Sequence, residues 1–254
     1  MNILLTNDDG IYSPGLEAIY NELKKFAKVT IISPIGERSA IGMGITIFRE
    51  IEVKKISKNG AFYGYAISGT PVDCVKLGIT TLCKEKIDLV VSGINNGQNV
   101  GTSVLYSGTV AAAMEGLLYG IPSVAISRCF GNDLDFRFAA KFSSKLIKEI
   151  HKNGLPRGIM LNVNIPSISE KEIQGIEICP QGNAMYEDLY KLKNDLDDVI
   201  IYENYGELVK NKSKDFNDDA VLDNKKISIT PLYYNLTHFE SIEDLRKWDL
   251  ETLI

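Results

Sequence analysis

The chain has 254 residues, 44% of them hydrophobic and 24% charged, with a formal net charge of -5. These are the proportions of a globular protein, and they exclude wholesale disorder, a collagen-like repeat and a coiled coil. The acidic balance argues against a broad grip on a nucleic-acid duplex. Only two histidines are present, His151 and His238, so a His-rich metal centre is excluded and any divalent ion must be held mostly by oxygen. Cys74, Cys83, Cys129 and Cys179 are scattered with no C-x-x-C pair, which fits reduced thiols in a cytoplasmic protein. The chain opens with no basic, then apolar, leader, and it has no run of about 18 apolar residues. Neither secretion nor a membrane partner is expected.

Ile3 to Thr6 is a short continuous apolar run, the pattern of a strand buried on both faces. It stops at Asn7-Asp8-Asp9-Gly10. Ser13-Pro14 then reads as an N-cap and a first-turn proline, followed by Leu16, Ile19, Tyr20 and Leu23 at helical spacing to about Phe26. Val29 to Ser33 is a second strand, completing a βαβ unit whose crossover should be right-handed. Residues 36–44 form a glycine-containing loop. Alternation in Ile45 to Val53 predicts a hairpin strand, with Phe62 to Ile67 as its partner. Val72 to Leu82 suits a helix. Leu89 to Ser92 is another buried strand, ending at Gly93-Ile94-Asn95-Asn96-Gly97.

A helix begins near Ser107-Gly108-Thr109 and ends at Gly120, with Pro122 beyond. Ser123 to Ser127 is the next strand, and residues 135–151 form an amphipathic helix. Met160 to Ile165 is a further strand, stopped by Pro166. Strands alternating with helices predict a doubly wound, mostly parallel, Rossmann-like α/β sheet. After about residue 167 the pattern changes to β-type runs such as Val199 to Tyr202, a strand at Ile227 to Thr230 and a closing helix near Ile242 to Trp248. The chain therefore reads as one domain, 1–254, with a core of about 1–166 and a β-rich C-terminal extension of about 167–254.

Ligands of open α/β sheets sit beyond the carboxyl ends of the strands. Asp8 and Asp9, Ser39, and Asn95, Asn96 and Asn99 all fall at such ends. Two adjacent carboxylates after a buried strand repel each other, and a divalent cation such as Mg²⁺ or Mn²⁺ would offset that. The alternative is an Asx-type turn with a charge at a helix start. Ser107-Gly108-Thr109 is an anion-binding candidate, because N–H groups at a helix start are unpaired and Gly108 allows close approach. The alternative there is a simple cap by Ser107 or Thr109. A G-x-G-x-x-G dinucleotide fingerprint and a Walker A loop are absent. The adjacent aspartates also differ from the D-x-D start of haloacid-dehalogenase-type phosphatases. His151 and His238 lie outside the strand-end loops and read as structural or surface residues.

At these residues the sequence resembles the SurE family of survival proteins, which are metal-dependent 5'/3'-nucleotidases. The resemblance rests on ILLTNDDGIYSPGL (3–16), ERSAIGMGIT (37–46), SGTPVDCV (68–75), DLVVSGINNGQNVGTSVLYSGTVAAAMEG (88–116), GIPSVAIS (120–127), LNVNIP (161–166) and ISITPL (227–232). It implies Asp8, Asp9, Ser39 and Asn95 as metal ligands. It places the phosphate near Ser107, Gly108 and Thr109, with Asn99 close by. It also implies a homodimer or homotetramer built through the C-terminal region. Two departures stand out. Met43-Gly44 replaces a His-Ser pair common in relatives. Near the last strand, the segment ending Phe216-Asn217-Asp218-Asp219-Ala220 departs from a D-x-D-x-x-A pattern, with Asn217 at one of its aspartate positions.

The expected activity is hydrolysis of nucleoside 5'-monophosphates, with 3'-monophosphates as further substrates, to nucleoside and phosphate. With no histidine at hand, Asp8 or Asp9 is the candidate general base. Attack by water is expected, with an aspartyl-phosphate route as the alternative. Two other readings remain open at this level. One is a nucleotide-binding regulator without turnover, and the other is a metallophosphatase for polyphosphate or another small phosphate ester.

Overall fold

A computed structural model describes residues 1–131, 133–196, 198–209 and 216–253. The first half builds β1 (Asn2–Thr6), α1 (Pro14–Leu23), β2 (Lys28–Pro34), β3 (Val53–Lys58), β4 (Ala61–Ile67), α2 (Pro71–Leu77) and β5 (Leu89–Asn96). Then follow α3 (Gly108–Leu118), β6 (Ser123–Arg128), α4 (Arg137–Asn153) and β7 (Met160–Ile165). The C-terminal part contributes β8 (Ile176–Ile178), β9 (Met185–Leu196), β10 (Val199–Val209), α5 (Asp218–Asp223), β11 (Ile227–Leu232) and α6 (Glu240–Arg246).

Nine strands form one sheet in the order β3-β4-β2-β1-β5-β6-β7-β11-β8. β4, β2, β1, β5, β6 and β7 are mutually parallel, while β3 and β11 run antiparallel to their neighbours β4 and β7. The chain winds outward from β1 to β2 and β4 on one side, and from β5 to β6 and β7 on the other. The order therefore reverses between β1 and β5, where α/β sheets open a crevice for a ligand. The sheet continues past residue 166, because β11 pairs with β7 and β8.

Alternation along β1 divides the core. Ile3 and Leu5 pack with Leu16, Ile19 and Ile147 of α1 and α4 on one face, while Leu4 packs with Cys74, Val75 and Ala112 of α2 and α3 on the other. Burying each such aliphatic side chain contributes roughly 1.5–3 kcal/mol. Among the described residues no helix is long and apolar enough to cross a membrane. None of the four cysteines is joined in a disulfide.

Three expectations change. The hairpin exists, but its first arm is β3, Val53–Lys58, rather than Ile45 to Val53. Side chains take the amides that a ladder at 45–52 would need: Asp73 accepts from Thr46 N, and Ser68 Oγ from Glu52 N. The turn is Asn59-Gly60, with φ of 53° and 77°, the pair of positive values that a two-residue type I′ turn requires. Second, the strand expected to end at Ser92 runs on to Asn96, and its register against β6 shifts between Ser92 and Asn95. Asn95 and Asn96 are thus strand residues. Third, the closing helix is Glu240–Arg246, and Trp248 lies past its end.

Among the described residues, β9 and β10 pair only with each other, as a long two-stranded ribbon. Its root is tied to the turn after β5, where Thr102 N–H donates to Ala184 O at 2.8 Å. Asp218 makes a second tie, accepting from the amides of Gly101 and Gly182 at 3.0 and 2.8 Å. Asn217 caps α5 through Ala220 N. In the incomplete D-x-D-x-x-A pattern, these two residues thus have structural work.

Candidate functional site

The site is built from the turn after β1. Asn7 is fully buried and makes that turn: its amide donates to Gly10 O and Ser13 Oγ, and Ser33 Oγ donates to its carbonyl. Asp8 and Asp9 are thereby presented at the reversal point of the sheet. Ser13 caps α1 by accepting from Leu16 N, which fixes the exit of the turn.

The α3 start meets Asp8 directly. A Cβ on Gly108 would lie 2.8 Å from Asp8 Cβ, so only glycine permits this approach. The Thr109 hydroxyl, fully buried, donates to Asp8 Oδ1. Ser107 is the N-cap, its Oγ accepting from Val110 N at 3.1 Å. The positive end of α3 thus rests on a carboxylate of the protein itself. The loop after β2 closes over the same point, with Arg38 N–H donating to Asp8 O at 2.7 Å.

Asp9 is half-buried and faces β5, where Asn96 N–H approaches its Oδ2 at 3.4 Å. Asn95 turns its Nδ2 to Gly97 O at 2.8 Å, so Oδ1 is the atom it has left for a cation. Ser39 is exposed and donates to Glu37 Oε1 at 2.8 Å. Asn99 lies further along the edge. Its side chain donates to Ser127 and its backbone is held by Asn162 and Asn164, a buried network. The structure therefore joins Asp8 with Gly108 and Thr109, and Asp9 with Asn96. It commits the side chain of Asn99 to β6.

Burial raises the pKa of both aspartates. Asp8 is shifted upward chiefly by desolvation, against the Thr109 bonds that favour its charge, with Glu37 adding to the rise. Asp9 is pushed up to about 6 by burial, then by the Asp8 carboxylate, with a smaller push from Glu37. Every charged neighbour named in these shifts is another carboxylate. In addition, Asn96 Oδ1 is buried without a hydrogen-bond partner among the described residues. Among those residues no group of three or more His, Cys, Asp or Glu side chains is arranged to hold a metal. The available donors are two carboxylates with hydroxyl and amide oxygens, a hard-oxygen set of the kind that suits a divalent cation.

Glu37 and the Thr109–Asp8 bond were not anticipated as parts of the site, and Asn96 was expected at a strand end without a role. Glu37 opens the conspicuous loop 37–46, and Asn96 adjoins Asn95, so both lay in view. The Thr109–Asp8 pair spans 101 positions and left no local signal. His151 and His238 are exposed, and His238 bonds Ser241.

Fold and site together define a doubly wound α/β protein with a paired-carboxylate, oxygen-donor centre at its switch point. A family model described as survival protein SurE matches residues 3–188. Similar curated proteins include "5'-nucleotidase SurE" of Syntrophomonas wolfei subsp. wolfei, 43% identical over 97% of this chain and 94% of that protein. Another is the protein of the same name from Syntrophus aciditrophicus, 42% identical over 97% and 93%. The crystal structure of the SurE protein from Aquifex aeolicus superposes with a TM-score of 0.84 at 34% identity, covering 97% of this chain and 98% of that one. The chain belongs to the SurE family.

Proposed function

We propose that this protein is a metal-dependent nucleotidase that hydrolyses nucleoside 5'-monophosphates, and also 3'-monophosphates, to nucleoside and phosphate. The observation that carries this reading is the contact between the α3 start and Asp8, beside Asp9, at the switch point of the sheet. The nucleotidase names of its relatives support it.

Asp8, Asp9, Ser39 and Asn95 would hold Mg²⁺ or Mn²⁺. Such a cation supplies a Lewis acid for a phosphoryl oxygen and lowers the pKa of a water. Thr109 fixes Asp8 in one orientation through its hydroxyl. Asp9 Oδ2 faces the Asn96 amide, so Oδ1 is the atom placed to accept a proton from the attacking water. The phosphate lies against the Ser107-Gly108-Thr109 turn, near Asn99, where the α3 dipole offsets its charge.

The whole chain acts as one domain in the cytoplasm, and the C-terminal region assembles it into a dimer or tetramer. The β9–β10 ribbon supports the assembly: Leu192, Ile200 and Tyr202 are all more than half exposed, and a two-stranded ribbon is marginal alone in water. The test of the chemistry is Asp8→Asn, which should abolish metal-dependent phosphate release from nucleoside monophosphates. Retained turnover with unchanged metal affinity would overturn the assignment. Turnover in labelled water, with trapping of any covalent species, separates direct attack from an aspartyl-phosphate route.

A further inference from the structure

Beside Asp9 the surface opens into a cavity of about 420 Å³ that the chemistry above does not use. Its lining includes the polar side chains of Asp9, Glu37 and Asn96 and the large apolar ones of Tyr12, Ile35 and Leu134. These three apolar side chains are all exposed: Tyr12 is 71% exposed, Leu134 60% and Ile35 42%. Large apolar groups gathered around one opening mark a ligand site more often than chance exposure does. The walls are firmly built. The backbones of Gly10 and Gly36 touch, since a Cβ on Gly10 would lie 3.0 Å from the Gly36 carbonyl carbon. Ile11 N–H also donates to Pro34 O at 2.9 Å.

The position of the cavity identifies its occupant. Gly108 and Thr109 approach the switch point from the α2–α3 face of the sheet. The cavity lies at the start of α1, whose helix packs on the opposite face with α4. Asp8 and Asp9 stand between. A phosphate ester held at α3 must therefore extend its organic part across Asp9 toward α1. There the lining offers carboxylate oxygens together with an aromatic ring and two aliphatic side chains. That combination suits a ribose, whose hydroxyls donate, and a flat base.

The geometry points to this cavity as the nucleoside subsite, with Tyr12 as the ring on which the base stacks. The placement of the phosphate rests on the nucleotidase reading; the fit of the nucleoside to the cavity does not. Base–aromatic stacking lost on truncation to alanine corresponds to a weakening of about five- to 150-fold. Tyr12→Ala should therefore raise KM for adenosine monophosphate about tenfold with kcat little changed. It should leave KM for ribose 5-phosphate, which has no base, unaltered. Tyr12→Phe should behave as the unaltered protein. Adenosine alone, in the presence of a chelator, should bind the parent and Tyr12→Phe, and bind Tyr12→Ala about tenfold more weakly. An unchanged ratio of the two KM values in Tyr12→Ala, or equal adenosine binding by all three proteins, overturns the subsite. Absence of phosphate release from both esters with Tyr12-dependent adenosine binding intact supports the subsite and overturns the nucleotidase reading instead.

Discussion

Without metal, Asp9→Asn should make the protein more stable. Burial and the Asp8 carboxylate lift the Asp9 pKa from an ordinary 3.8 to about 6. At about 1.4 kcal/mol per pH unit, holding Asp9 ionised at neutral pH costs the fold up to about 3 kcal/mol. Water at this half-buried group screens part of that, leaving about 2 kcal/mol. The folded chain binds this proton more tightly than the unfolded chain. The penalty is therefore absent below the ordinary value of 3.8, grows as pH rises, and is complete above about 6. Asparagine keeps an acceptor for the Asn96 amide but carries no charge. For a chain of this size, about 2 kcal/mol is roughly 4–8 °C in Tm. Thermal unfolding of both proteins in chelator, scanned from pH 4 to pH 8, should show no difference at the acid end and that gain at neutral pH. With saturating Mn²⁺ the order should reverse, because a ligand that binds only the folded state stabilises it. An Asp9→Asn protein no more stable than its parent at pH 7 in chelator would refute the reasoning, as would equal stabilisation of both by Mn²⁺.

Thr109→Val keeps the shape of a fully buried side chain and removes the hydroxyl that bonds Asp8. An acceptor left unpaired costs about 1–3 kcal/mol, so phosphate release should fall by about five- to 150-fold, and Thr109→Ser should restore most of it. Gly108→Ala brings a Cβ within 2.8 Å of Asp8 Cβ. It should cut metal affinity and turnover together while far-ultraviolet circular dichroism stays that of the parent. Chelation should abolish turnover, and Mg²⁺ or Mn²⁺ should restore it, followed by phosphate release. Replacing Leu192 and Ile200 on the ribbon by lysine should lower the mass measured by sedimentation, if those exposed residues are where copies of the chain meet.

The core was legible in the sequence because its strands are buried on both faces. Runs such as Ile3–Leu5 and Val124–Ile126 are buried on both faces, and the first strand stops at the polar turn Asn7-Asp8-Asp9. The hairpin was misplaced for the converse reason. Residues 45–53 alternate like a strand, yet Ile45, Ile47 and Phe48 are exposed, and the Thr46 amide belongs to Asp73. The better signal was Asn59-Gly60, whose backbone preference outweighs alternation over a polar edge strand carrying Lys54, Lys55 and Lys58. The β9–β10 pairing was hidden because a solvent-facing ribbon mixes charged and apolar residues on both strands.

Each element of the site was visible singly, but their coupling was not. Asp8-Asp9 offers a repulsive pair, and Ser107-Gly108-Thr109 a helix start short of an anion. Taken apart, each admits a local explanation: a turn for one, a cap for the other. In the fold they answer each other. Thr109 donates to Asp8, Ser107 caps the helix, and Gly108 makes the approach sterically possible. This contact offsets part of the cost of burying Asp8, but the Asp9 carboxylate beside it still has a raised pKa. Together with the unpaired Asn96 Oδ1, that leaves a surplus of oxygen and negative charge at one point of the sheet. The two halves of the site thus differ: the helix start orients one carboxylate, and the uncompensated remainder is the charge that the proposed cation would offset.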